Sequence, residues 1–342
     1  MLIVLGILLG TIALDALAPA IALPDWMRHY VTTFLGILLQ SVPFLLLGSI
    51  IAGLITEFVG AGDIARFFPR NNVLGGFAGM LLGLCLPVCE GGGVPVVRRL
   101  YQKGFPISAG ISFLLAAPVI NPIVIASTWA AFGNSPLFWG RIIFTLIIAF
   151  GVGLVFSVQP NITRVLLPRS LAPVIGSAGT GGEDSNMEQA AQSSAFHSSK
   201  SSSFTSRVFH ALGVAIDEFL DVGRYLIIGI LLATALQMLI PQPALMSSAQ
   251  QPVASVIALQ ALAFVLSASS TMDASLALSF VNTFTAGAII AFLVFGPMLD
   301  IKSVSMYLGL FRPRVVFYLA TLTFLSALLA GVFINLNVSL AP

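Results

Sequence analysis

Cys85-Leu-Pro-Val-Cys89-Glu-Gly-Gly-Gly-Val-Pro95 lies inside an apolar run, yet it holds two thiols, a carboxylate, three consecutive glycines and two prolines. Each glycine weakens a helix by about 1 kcal/mol relative to alanine, so the stretch predicts a helix break at Gly91-Gly92-Gly93. Polar, irregular backbone at membrane depth is stable only where protein buries it or a water-filled cavity solvates it. That makes this stretch the first candidate for a transport site.

The surrounding chain supports that setting. It is 58% hydrophobic and 8% charged, with mean hydropathy +1.02, against roughly 25% charged residues in ordinary soluble domains. Uncharged runs such as 31–56, 106–140, 225–272 and 315–342 exceed the roughly 20 residues a helical span needs. No barrel-type alternation occurs, so the spans are helices in a lipid bilayer. The net charge of +2 and the lack of a long basic block give no sign of nucleic-acid binding. There is no Walker A loop, no metal site from the three histidines and no cofactor motif. An enzyme is not expected.

Residues 1–24 read as a retained N-terminal helix, being longer than a signal-peptide apolar region and lacking a basic start. Residues 29–160 form a first membrane unit, 165–207 a Ser- and Gly-rich flexible linker, and 208–342 a second unit. The second unit echoes the first. Phe105 to Asn121 aligns without gaps on Phe284 to Asp300, placing Pro118 on Pro297 and Asn121 opposite Asp300. Upstream, Phe44-Leu-Leu-Leu-Gly48 aligns on Tyr225-Leu-Ile-Ile-Gly229, and the opening stretch falls opposite Ser267–Ser275.

Loop charges decide how the repeats are related, because cytoplasmic loops carry the Lys/Arg excess. If 73–103 and 253–283 are re-entrant hairpins, eleven loop cations lie with the linker and two, Arg28 and Arg141, lie opposite. If those segments cross fully, the division is eight to five. The expected fold is therefore an all-α polytopic membrane protein of two inverted-topology repeats. Each repeat has three transmembrane helices plus a re-entrant hairpin, and an extra N-terminal helix precedes them. The linker is expected in the cytoplasm and the chain in the inner (plasma) membrane.

Two hairpin tips and two broken helices would meet near the midplane, where secondary transporters hold substrate and coupling ions. The expected binding residues are Cys89, Glu90, Gly91, Gly92, Gly93, Asn121, Ser269, Ser270, Thr271, Asp273 and Asp300. Glu90 reads either as an ion carrier or as a carboxylate capping the glycine amides. Asp300 reads as an ion or substrate ligand. Lys302, two residues on, shares no regular helix face with Asp300, so pairing them needs unwound backbone; otherwise Lys302 snorkels to the interface. Cys85 and Cys89, four apart, could share a helix face and bind a soft metalloid. A buried inert thiol is the plainer reading. Asp221 and Arg224 read as a structural ion pair.

Leu86-Pro-Val-Cys-Glu-Gly-Gly-Gly-Val-Pro-Val-Val-Arg-Arg-Leu100, the following Lys103-Gly104 and Phe113-Leu-Leu-Ala-Ala-Pro-Val-Ile-Asn-Pro122 resemble predicted permeases of the YraQ/ArsP type. The resemblance implies a multi-pass inner-membrane permease with two related halves, some members being associated with efflux of trivalent organoarsenicals. Such proteins commonly carry a second cysteine directly after the Cys-Glu pair, where this chain has Gly91. The expected function is thus an ion-coupled secondary transporter, in the export direction, for a small molecule or ion; a channel is the alternative and an intramembrane thiol enzyme the third class. The substrate is left open, and an oligomer is compatible with the sequence.

Overall fold

The computed structural model describes residues 24–68, 72–86, 88–158, 165–167, 204–239 and 251–337. The expected N-terminal helix and nearly all of the linker fall outside these residues. The first half contains helices α1 (Asp25–Phe58), α2 (Ala61–Phe67), α3 (Asn72–Cys85), α4 (Glu90–Gln102), α5 (Ile107–Ile120), α6 (Pro122–Phe132) and α7 (Pro136–Phe156). The second contains α8 (Phe204–Leu239), α9 (Ala254–Leu266), α10 (Ser270–Phe280), α11 (Ala286–Met298), α12 (Ile301–Leu310) and α13 (Pro313–Asn337). Apart from the short α2, both halves run in the same order: a long helix, two short helices, a broken pair and a long helix.

Five described stretches are long and apolar enough to cross a membrane: α1, α7, α8, α13 and Ala286–Leu310 across α11 and α12. The α5–α6 pair, bent by 40°, makes a sixth. This is a multi-pass membrane protein. At 1.5 Å per residue, the 34 residues of α1 reach about 51 Å, well beyond the roughly 30 Å hydrocarbon core.

The breaks have local causes. At α5–α6, Pro122 forces Asn121 into an extended conformation (φ −67°, ψ 152°). Pro122 itself suits the first helical position, where its missing N–H is not needed. Asn121 Oδ1 then accepts the Val124 N–H at 2.9 Å. Its counterpart Asp300 is extended too (φ −129°, ψ 176°), and its Oδ1 accepts the Ser303 N–H at 2.7 Å. Helix α9 ends at Ser267, which adopts a left-handed conformation with φ 44°.

One expectation is corrected. Gly91–Gly93 do not break the helix; they form the first turn of α4, with the Gly92 and Gly93 N–H groups donating to Cys89 O. The break lies upstream, between Cys85 and Glu90. The propensity cost is offset by packing: Gly92 abuts Gly48 of α1, and a Cβ on Gly92 would lie 2.6 Å from Phe44 O. Small residues allow such close backbone approach between membrane helices.

The centre is built on α5 and α11, every residue of α5 from Ser108 onward and of α11 from Gly287 onward being buried. Around them, α3 follows α5 in the same direction, with Gly79 facing Ala109 and Gly83 facing Ala117. Helix α4 runs the other way, with Gly93 facing Leu114 while the Tyr101 hydroxyl donates to Ile107 O at 3.1 Å. In the second half, Ser255 Oγ meets Thr285 Oγ1 at 2.9 Å and Ala263 faces Gly296. Helix α10 reverses this order, with Asp273 near Gly296 and Phe280 stacked edge-on to Phe292 at 5.7 Å. The long helices α1 and α8 are antiparallel: the Tyr30 hydroxyl donates to Leu231 O at 3.1 Å, whereas Glu57 meets His210 at 2.5 Å.

Candidate functional site

The four breaks converge because helices pack across the halves, α4 on α12 and α6 on α10. At their meeting point Lys302 is 3% exposed. Its Nζ lies 2.9 Å from Glu90 Oε2 and 2.9 Å from Asp300 Oδ2. It also donates to Ser267 O at 2.6 Å and Ala268 O at 3.1 Å, the carbonyls left open where α9 ends. The Asp300–Lys302 pair exists because Asp300 sits outside the helix as its N-cap, which is the unwound geometry the two-residue spacing requires. Lys302 does not snorkel to an interface, because carboxylates from both halves satisfy it internally.

Glu90 Oε1 accepts a hydrogen bond from Ser270 Oγ at 2.6 Å. Glu90 and Ser270 are the first residues of α4 and α10, so the two helix N-termini touch through their first residues. The Glu90 carboxylate therefore does not serve the glycine amides. Cys89 Sγ is 3.7 Å from Ser270 Oγ. Gln40, Ser41, Cys89, Glu90, Gly91, Ser269 and Lys302 enclose a cavity of about 10 Å³, at the threshold of room for one water.

Beside this lies a second buried cation. Arg141, 1% exposed in α7, donates to Thr128 Oγ1 at 2.7 Å and Ser270 O at 3.2 Å. Asp273, 3% exposed in the first turn of α10, lies within electrostatic reach of Arg141, Glu90, Lys302 and Asp300. Reading Arg141 as a loop charge was wrong: it stands one turn inside a helix, and that position within an apolar run was the available signal.

Cys89, Glu90, Ser269, Ser270, Asp273 and Asp300 thus come together, with Gly91 on the cavity wall. Gly92 and Gly93 face α1 and α5 instead. Thr271, half-buried, bonds Ser269, and Asn121 is occupied as the cap of α6. Cys85 is exposed at the end of α3 and Cys89 is buried beyond the break, so the two thiols share no helix face. Among the described residues no group of three or more His, Cys, Asp or Glu side chains is placed to hold a metal ion. Arg141 was not singled out as a site residue by the sequence, and Lys302, whose pairing with Asp300 the sequence left open, was not among the expected binding residues.

A family profile described as a predicted permease matches residues 26–336. The chain belongs to this permease family. The permease is 38% identical over 292 residues to the UPF0718 protein YcgR of Bacillus subtilis, covering 84% of this chain and 90% of the relative. It is 32% identical over 297 residues to a Streptococcus mutans protein named "Putative two-component membrane permease complex subunit", covering 86% and 91%. No solved structure matches.

The permease has a second ionic cluster further along α4. Arg99 meets Glu218 at 2.5 Å, and Arg98 meets Asp221 at 2.5 Å and Glu218 at 3.5 Å. The expected Asp221–Arg224 pair is present as well. With Asp217, these residues line an open cavity of about 450 Å³ between α4 and α8. Asp217, Glu218, Asp221 and Arg224 stand well inside α8, which begins at Phe204.

Proposed function

We propose that this permease is an ion-coupled secondary transporter working by alternating access, with its site where two hairpin tips and two broken helices meet. The observation that carries this reading is Lys302, buried and held by Glu90 from one half and Asp300 from the other. An intramembrane ion network costs several kcal/mol to assemble and marks an ion or substrate pathway by default.

In this reading 29–160 and 208–342 are inverted repeats, and 73–103 and 253–283 enter and leave on one side. The supporting contacts are those of α3 and α4 with α5, and of α9 and α10 with α11, which run in opposite senses within each pair. The antiparallel α1 and α8, which carry the aligned Gly48 and Gly229, support inversion. Arms of 14, 13, 13 and 11 residues reach about 20 Å at most, short of a 30 Å crossing. Cytoplasmic placement of the linker, the inner membrane and outward transport rest on loop charge and family resemblance. The Streptococcus relative's name extends the proposal to a partner subunit.

The test is flux in cells or proteoliposomes, using a panel of arsenicals, other metalloids, metals and sulfur oxyanions to find a transported probe. Glu90→Gln and Asp300→Asn should each abolish flux while membrane insertion is retained. Wild-type flux in both would remove the carboxylates from the mechanism. Single-channel currents would replace the carrier with a pore.

A further inference from the structure

The site carries three carboxyl groups, Glu90, Asp273 and Asp300, against two cations, Lys302 and Arg141, none more than 3% exposed. Each of the four breaks presents one helix C-terminus and one N-terminus, so helix dipoles offset one another in pairs. Fully ionised, the site holds one negative charge in excess. A buried charge without a partner is strongly disfavoured, so the excess must be neutralised.

Contact with a cation distinguishes the three carboxyls. Glu90 receives Ser270 Oγ on one oxygen and Lys302 on the other. Asp300 Oδ1 accepts the Ser303 N–H, and its Oδ2, which has no aligned hydrogen bond, lies 2.9 Å from the Lys302 ammonium. Both are held as carboxylates by the ammonium 2.9 Å away and by one hydrogen-bond donor each. Asp273 Oδ2, like Asp300 Oδ2, is buried with no hydrogen-bond partner among the described residues, but unlike Asp300 it has no cation at ion-pair distance to compensate. Arg141 faces it without an ion pair within 4 Å, its guanidinium turned to Thr128 and Ser270 and its Nε also unpartnered. The elements packed against α10 add no other charge near Asp273. Helices α6 and α11 contain no ionisable side chain, α7 supplies Arg141, α4 supplies Glu90 beside the neutral Cys89 thiol, and α12 supplies Asp300 and Lys302.

We propose that Asp273 is the proton-binding site of this permease, the structure described being the state with a proton on its carboxyl. The proton comes from hydronium on whichever side the cavity opens, breaking its O–H bond to leave water, forming an O–H bond at Asp273 and taking the site from one negative charge to neutral. Its release allows Asp273 to pair with Arg141, drawing the guanidinium from Ser270 O, and Ser270 is the residue whose hydroxyl joins the second tip to Glu90. Proton exchange is thereby linked to the contact between the tips. The proton's role as coupling ion rests on the transporter reading; its location does not.

The experiment is infrared spectroscopy of the purified full-length protein in detergent at neutral pH, following the deuterium-sensitive C=O band of a protonated carboxylic acid. One such band is expected. It should disappear in Asp273→Asn and move in Asp273→Glu, which keeps a carboxyl should the asparagine variant fold poorly. It should stay in place in Glu90→Asp and Asp300→Glu, which preserve charge. Absence of the band in the wild type, or a band that moves with Glu90 or Asp300, overturns the proposal. A band that follows Asp273 alongside wild-type flux in Glu90→Gln and Asp300→Asn would keep the proton site and sink the transporter reading.

Discussion

Lys302→Met tests the core of the site most directly. Four oxygens surround the ammonium, at 2.9 Å from Glu90, 2.9 Å from Asp300, 2.6 Å from Ser267 O and 3.1 Å from Ala268 O. Methionine fills similar space and supplies no donor, leaving two carboxylates facing each other. Removing one partner of a buried ion pair costs about 3–5 kcal/mol. For a chain of this size that corresponds to a fall in Tm on the order of 5–10 °C. Adding Glu90→Gln removes one of the buried charges left without a partner, so the double variant should recover roughly 1–3 kcal/mol of the loss. Lys302→Arg should fall between, because its planar fork suits bidentate acceptors rather than four arranged around a point. The assay is thermal unfolding in detergent followed by tryptophan fluorescence. A Lys302→Met melt within about 1 °C of wild type, or strictly additive losses in the double variant, would refute the network.

The opening glycines differ in tolerance. Gly92→Ala should cost about 1–3 kcal/mol, because its Cβ would meet Phe44 O at 2.6 Å, whereas Gly91→Ala should be near neutral, with nothing closer than 3.9 Å; thermal melts in detergent compare the two. In the second ionic cluster, Glu218→Gln leaves Arg99 buried without its carboxylate and should cost about 3–5 kcal/mol. Asp221→Asn, at a one-third exposed side chain, should cost about 1 kcal/mol or less by the same assay. Single cysteines at the exposed Val253 and Asn282 flank α9 and α10; in a Cys85→Ser, Cys89→Ala background, a membrane-impermeant maleimide should label both from the same side. Labelling from opposite sides would end the re-entrant reading.

Where helices end was legible in the sequence at Pro122, Asn121 and Asp300, because a missing N–H, a restricted pre-proline residue and a capping side chain act within a few positions. The glycines misled, since their cost is local but their benefit, contact with Gly48, comes from another helix. The site was half legible. Glu90, Ser270, Asp273 and Asp300 stand out as polar groups in apolar runs. Lys302 and Arg141 stood out too, but an isolated cation near a helix end reads as interfacial until its partners are known.

By itself the sequence determined a multi-pass helical membrane protein with two similarly punctuated halves, because lipid requires every backbone group to be satisfied nearby and composition reports that requirement directly. Only the tertiary structure decided which charges meet. Lys302 finds Glu90 and Arg141 finds Ser270 across more than a hundred residues. A Coulombic contact depends on distance in space, and sequence separation carries no trace of it.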